Sequence, residues 1–525
     1  MAVAEPGSGA KGTDVNELAK FGYKQELDRS LGSFSSFAAG FSYISILTGV
    51  FQLFAFGFAA AGPAVWWTWP IVFFGQFAVA LCFAEMAGQY PLAGSVYQWS
   101  KRLGSDFSSW MTGWIMIIGS IVTVAAVAVA WQVILPQIST KFQFAGSAAD
   151  AGLYNTPGGA KNAIILAAAL VLFTTVVNML GVKIMARINN AGVFIELVGC
   201  SVLVVLLLIN VTRGPGVVFH SLGTGAGHSW GYLGAFLIGG IMSAYVMYGF
   251  DTAGTLAEET NEPRRHAPPA ILRALASAAL LGGLLILFAL MSTPSITDKN
   301  VGLLGMPFIV KAVLGNTTGN VFLWCSVIAI TVCCLAVQTA AIRMMFAMAR
   351  DGRLPFGRAV ARVSGRGKVP IIPALVTGIA TYALLAANIA NQQVFTTLTS
   401  VAIIMFYLCY LGVTLPMFIA RRRGTWPRPD HGPYFSMGRW GMLVNGFAVI
   451  YGLLAVVNIG WPRVAVYSNT HWYFQYGAIV FIGLVAIIGA IYYFAVQKKK
   501  TGGAPLAEHR ADLDLAEPPI AEVAP

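Results

Sequence analysis

Apolar residues in this chain come in long unbroken blocks separated by short polar connections, with neither strict alternation nor half-faced helical stripes. A bilayer-crossing helix needs about 20 mostly apolar residues. About twelve such blocks lie near 34–60, 64–86, 107–135, 163–180, 189–211, 233–257, 270–292, 320–347, 371–390, 393–420, 440–461 and 474–496. Barrel strands alternate lipid-facing and lumen-facing residues and would not give continuous runs, so the blocks predict helices. The predicted fold is all-α and polytopic, with about twelve transmembrane helices. Residues 1–30 read as a polar N-terminal tail and 31–498 as one membrane domain. Residues 499–525, rich in Ala, Pro and acids, read as a disordered C-terminal tail.

Two blocks are interrupted. Ser42, Ser45, Thr48 and Gly49 cluster in the first, and Gly249, Asp251, Thr252, Gly254 and Thr255 in the sixth. The second lies five spans after the first, with four between them, so the two cross the membrane in opposite directions. Corresponding interruptions in two halves of a chain mark a binding site near the bilayer midplane. Short amphipathic stretches at 88–102 and 303–314 fall between spans 2 and 3 and between spans 7 and 8. These are equivalent positions on opposite faces, as an inverted repeat requires.

Composition agrees with a lipid-solvated exterior: 57% of the 525 residues are hydrophobic and 10% charged, against about 25% charged in an average soluble chain. The net charge of +12 raises the question of nucleic acid, and its distribution answers it. With the N-terminus inside, 27 Lys and Arg fall on the inner side and 6 on the outer: Lys141, Lys161, Arg213, Lys299, Lys311 and Arg463. This bias predicts a multi-pass protein of the cell membrane with both termini cytoplasmic, and no nucleic-acid partner. Lys20, Lys24, Glu26, Asp28 and Arg29 interrupt any cleavable signal peptide, so the first span directs insertion. The six cysteines all lie inside predicted spans and read as small buried side chains. Gly365-Arg366-Gly367-Lys368-Val369 lacks the first glycine and the hydroxyl of a phosphate-binding loop, and the histidines are scattered. No ATPase, metal or other cofactor is expected.

A carboxylate at the centre of a membrane helix costs roughly 2.5–3.5 kcal/mol, which makes such residues candidates for function. Asp251, at the sixth-span interruption, and Glu196, within the fifth span, are the two. Each reads as an ion ligand, proton carrier or substrate contact, or else as a hydrogen-bonded structural acid. Glu85, Glu258 and Glu259 sit at inner helix ends and suit a solvated or arginine-paired gate more than substrate binding, while Gln338 and Thr339 offer uncharged oxygens or else serve packing. An unwound helix frees N–H groups at the start of one half and carbonyls at the end of the other, chemistry that holds a carboxylate and an ammonium. Ser45, Thr48 and Gly49 surround such a point. Tyr245, Tyr248 and Phe250 flank the second interruption, and Tyr245 is the aromatic singled out there.

Three segments resemble a known family. They are Glu85-Met86-Ala87-Gly88-Gln89-Tyr90-Pro91-Leu92-Ala93-Gly94-Ser95-Val96-Tyr97-Gln98-Trp99, then Phe250-Asp251-Thr252-Ala253-Gly254 running into Glu258-Glu259-Thr260-Asn261-Glu262-Pro263-Arg264-Arg265, and Ala349-Arg350-Asp351-Gly352-Arg353-Leu354-Pro355. They are similar to signatures of the amino acid–polyamine–organocation permeases, most of all the amino acid/choline transporter branch that includes GABA permeases. The resemblance covers roughly residues 30–496. It implies a five-plus-five inverted-repeat core plus two further helices, alternating access, and no enzymatic activity. It places the substrate between spans 1 and 6, at Ser45, Thr48, Gly49, Tyr245, Phe250 and Asp251, and ion coupling, with H+ as the expected ion, at Glu196. Leu47-Thr48-Gly49 stands where the family commonly has Gly-Ser-Gly. The expected function is secondary-active transport of a neutral amino acid or GABA-like amine, proton-coupled or by exchange. Choline or polyamine transport is the alternative, as is a nutrient-sensing receptor or channel on the same scaffold.

Overall fold

The computed structural model describes residues 25–500 except 366, 388, 390–393, 429–431, 465 and 467–471, together with 18, 21 and 23. Most of the two predicted tails therefore lies outside the described residues. Among the described residues nine helical stretches are long and apolar enough to cross a membrane, and the first, Ser33–Gln89, is two crossings divided by the turn Gly62–Trp67. With the shorter apolar helices Gly231–Val246 and Ile371–Ala387 they give the twelve spans. No strand occurs among the described residues; the one bridge pairs Leu31 with Thr260. Phe194, Leu454 and Ile491 are more than 60% exposed on spans 5, 11 and 12, as side chains facing lipid must be.

Several spans begin before their apolar block does. Span 4 starts at Pro157, where Thr156 caps by accepting from the Gly159 N–H. Span 7 starts at Pro263 and continues through Pro268 and Pro269. Proline in a first turn lacks only a donor that would be unpaired anyway, and the polar turns before the apolar run carry no hydropathy signal. Span 5 starts at Val182, with a single residue between it and the end of span 4 at Leu180, because Gly181 makes the turn alone at φ 133. Both amphipathic stretches contain helix. Ser95–Leu103 precedes span 3, and Met306 opens a helix that runs into span 8 through a break at Gly315, φ 78.

Packing follows an internal two-fold rule. Spans 1, 2, 3 and 4 pack against spans 6, 7, 8 and 9 respectively, and the packing of span 3 on span 10 is mirrored by that of span 8 on span 5. Spans 11 and 12 lie outside this arrangement, on spans 2 and 10 and on spans 3 and 10. Where span 5 meets span 8, a Cβ on Gly192 would stand 2.3 Å from Val332 Cγ1, so the absence of a side chain sets the helix separation. The end of span 12 returns to the start of span 3, with Tyr493 Oη donating to Asp106 Oδ2 at 2.6 Å. Tyr23 reaches this same face, where it meets Asp351. Both ends of the described chain thus lie on one face, rich in Arg and Lys and called the basic face below.

Candidate functional site

Span 1 is two helices, Ser33–Ile44 and Ile46–Ala61, joined at Ser45 with φ 34 and ψ 101. Such backbone costs about 1–3 kcal/mol in a residue with a side chain, so something must hold it. Ser45 Oγ donates to Glu196 Oε1 at 2.9 Å, lies 2.5 Å from Thr48 Oγ1, and accepts from the Thr48 N–H at 3.3 Å. The same Glu196 oxygen accepts from the Leu47 N–H at 3.1 Å. The span 5 carboxylate therefore sits on the N-terminus of the second half-helix, where free amides and the helix dipole favour negative charge. Its other oxygen, Oε2, is buried and has no hydrogen-bond partner among the described residues.

Span 6 breaks over 247–251, between Gly231–Val246 and the short helix Thr252–Thr255. Gly249 takes φ 91, and its N–H donates to Tyr410 Oη at 2.8 Å. That hydroxyl in turn donates to Asp251 Oδ1 at 2.6 Å, while Ser95 Oγ donates to Oδ2 at 3.2 Å. Asp251 thus anchors the unwound segment to span 10 and to the helix before span 3. Phe250, fully buried, packs on Phe83 and Tyr410, with ring centroids 5.8 and 5.2 Å away.

The two breaks meet. A Cβ on Gly49 would lie 2.5 Å from Val246 Cγ2. Beside this contact Tyr43, Tyr248 and Phe406 form a ring cluster, with Tyr248 4.6 Å from Phe406 and Tyr43 about equidistant from both at 6.0 and 5.8 Å. Tyr245 stands edge-on to Tyr248, and its hydroxyl has no partner among the described residues. Of the residues singled out in sequence, Ser45, Thr48, Gly49 and Glu196 come together, and Tyr245 meets the neighbouring ring cluster at Tyr248. Phe250 and Asp251 engage spans 2 and 10 and the Ser95 helix instead. Tyr43, Phe406, Tyr410 and Ser95 were not anticipated. Phe406 and Tyr410 lie one turn apart on span 10, a spacing common in any packed helix. Gln338 and Thr339 donate to Thr175 Oγ1 and Asn178 Oδ1 at 2.7 and 2.8 Å, tying span 8 to span 4.

On the basic face the breaks are sealed by ion pairs. Arg350 donates twice to Glu258 at 2.8 Å, and Arg343 donates to Glu259 at 2.7 Å. Asp351 accepts from Lys101 at 2.7 Å and from Tyr23 and Tyr97 at 2.9 Å. All three helix-end acids are arginine-paired, for Glu85 also pairs with Arg421 and accepts from Trp426 Nε1 at 3.0 Å. Residue 31 closes the seal, its N–H donating to Glu259 O at 2.8 Å and its carbonyl accepting from Asn261 N at 2.9 Å.

Twelve spans in which two antiparallel helices unwind against each other define a membrane permease. The profile of the amino acid permease family matches residues 31–487, and the chain belongs to that family, whose members are transporters and not enzymes. It is 28% identical to the amino-acid permease BAT1 of Arabidopsis thaliana over 92% of this chain and 95% of that one. It is 25% identical to the branched-chain amino acid permease BcaP of Bacillus subtilis, over 84% and 90%. With the methylthioribose transporter of the same bacterium it shares 27% identity, over 76% and 82%.

Proposed function

We propose that the chain is a secondary-active carrier of neutral amino acids or a GABA-like amine, working by alternating access in the cell membrane with its basic face in the cytoplasm. The observation that carries this reading is the Glu196 carboxylate on the half-helix N-terminus of span 1. A substrate carboxylate needs the same amides, and two anions cannot share them. Protonation of Glu196 removes the competing charge, so proton and substrate load together. The substrate's ammonium then faces the carbonyls ending Ser33–Ile44, in the negative potential of Asp251. Tyr245, Tyr248 and Phe406 offer an apolar wall for its side chain, in keeping with the branched-chain substrate named for the Bacillus relative.

Proteoliposomes given leucine, GABA, glutamate, choline or putrescine, with and without an imposed pH gradient, test this. Gradient-driven accumulation of a neutral amino acid or GABA is expected. Glu196→Gln should abolish accumulation while sparing exchange of labelled for unlabelled substrate. Accumulation that persists in Glu196→Gln removes the proton-carrier role, and uptake of choline or putrescine alone overturns the substrate class.

A further inference from the structure

The residues that lead into span 1 run across the shut basic face. The Arg350 guanidinium lies 4.2 Å from the centroid of the Tyr23 ring, while the Tyr23 hydroxyl donates to Asp351 Oδ1 at 2.9 Å and accepts from Lys101 Nζ at 3.3 Å. One side chain thus covers two ion pairs, Arg350–Glu258 and Lys101–Asp351, whose cations are no more than 10% exposed. Gln25 Nε2 donates to Glu258 O at 3.0 Å, Leu27 is buried with Ala93 and Phe346, and Asp28 pairs with Lys183 at 3.4 Å. Leu31 makes its two backbone hydrogen bonds to Glu259 and Asn261, and only Gly32 separates it from the half-helix Ser33–Ile44.

These contacts divide between two sets of helices. Glu258, Glu259 and Asn261 follow the break of span 6, which packs on span 1. Ala93 and Lys101 precede span 3, whereas Phe346, Arg350 and Asp351 lie at the end of span 8, which packs on span 3. Alternating access opens the basic face by parting spans 1 and 6 from spans 3 and 8. Leu31 is bonded to the end of span 6 and joined through Gly32 to span 1, so it travels with them. Tyr23 is bonded to the other set. Its partners are charged groups, which make the stronger hydrogen bonds and hold well against an aromatic face, whereas the Asp28–Lys183 pair is exposed and contributes little. Tyr23 is therefore the anchor that must let go. We propose that Tyr23 and Gln25–Leu31 form a strap that locks the basic face shut, and that the carrier opens to that side only when Tyr23 leaves Arg350 and Asp351. The strap regulates the site between the two breaks, and so rests on the alternating-access reading of that site.

The test reads opening directly, without substrate. The full chain in nanodiscs, carrying Ser36→Cys at a fully buried position of Ser33–Ile44, is exposed to a small water-soluble maleimide. Alkylation at position 36 is followed by peptide mass spectrometry, which separates it from the six native thiols. Tyr23→Ala should raise the alkylation rate about tenfold, and Tyr23→Phe, which keeps the ring over Arg350 and loses the hydroxyl, about threefold. Arg358→Gln, exposed on the same face and outside the strap, should leave the rate unchanged. An unchanged rate in Tyr23→Ala overturns the proposal. So does an equal rise at Ser292→Cys, buried at the far end of span 7, because that marks general loosening and not the opening of one face. Labelling needs no transported solute: a chain that labels faster in Tyr23→Ala yet takes up no amino acid keeps the strap and loses the transport reading.

Discussion

Gly249→Ala probes the meeting of the two breaks. Gly249 holds φ 91, where an L-residue is strained, and an alanine Cβ would stand 1.8 Å from Tyr43 Cδ1 and 2.3 Å from Cε1. The backbone term is about 1–3 kcal/mol. Overpacking adds typically 1–3 kcal/mol, because Tyr43 cannot swing aside: Tyr248 and Phe406 hold its ring. The combined cost is about 2–6 kcal/mol, a large share of a typical folding free energy. The assay is thermal unfolding of detergent-solubilised protein, run as a double-mutant cycle with Tyr43→Ala. Removing the ring abolishes the clash but leaves the strain, so the double variant should be more stable than additivity predicts by about 1–3 kcal/mol. A strictly additive cycle, or a Gly249→Ala protein as stable as wild type, would refute the close approach of spans 1 and 6.

Three further outcomes follow from the same geometry. Tyr410→Phe removes the group that joins Gly249 N–H to Asp251 and leaves a buried carboxylate short of a donor, a cost of about 1–3 kcal/mol; initial uptake rates should fall at least tenfold, and an unchanged rate would show that Asp251 needs no such anchor. Arg350→Ala leaves the Glu258 charge buried, at about 3–5 kcal/mol; amide hydrogen exchange over 88–96 and 256–262 should rise roughly 100-fold or more, whereas wild-type protection would mean that the pair does not hold the basic face shut. Asp351 concerns pH. Burial alone would raise its carboxyl, but Lys101, Arg350 and the donated hydrogen bonds outweigh burial and hold it below the ordinary carboxylate value. A depressed value stabilises the fold above the unfolded pKa and is lost as pH falls through the folded one. The stability gap between wild type and Asp351→Asn should therefore stay constant from pH 8 to 5 and shrink only below about pH 4; a gap that closes between pH 7 and 6 contradicts the ion pair.

The number of spans, their helical nature and the location of the two interruptions were legible in the chain. Lipid tolerates only internally bonded backbone, so a block of twenty apolar residues has one available structure whatever surrounds it. Small and hydroxylated residues inside such a block mark where that structure gives way. Partners were another matter. Nothing local ties Glu196 to the Leu47 amide, 149 positions earlier, or sends Asp251 toward Tyr410 rather than toward span 1. Those choices depend on which helix faces which, and helix rotation is set by side-chain interlock between spans far apart in sequence, as at Gly49 against Val246 and Gly192 against Val332. An arginine-lined cavity on the basic face belongs to the same category. Residues 102, 264, 423 and 428 look in sequence like ordinary inner-loop charges, and only the folding of four connections onto one corner brings them around one cavity.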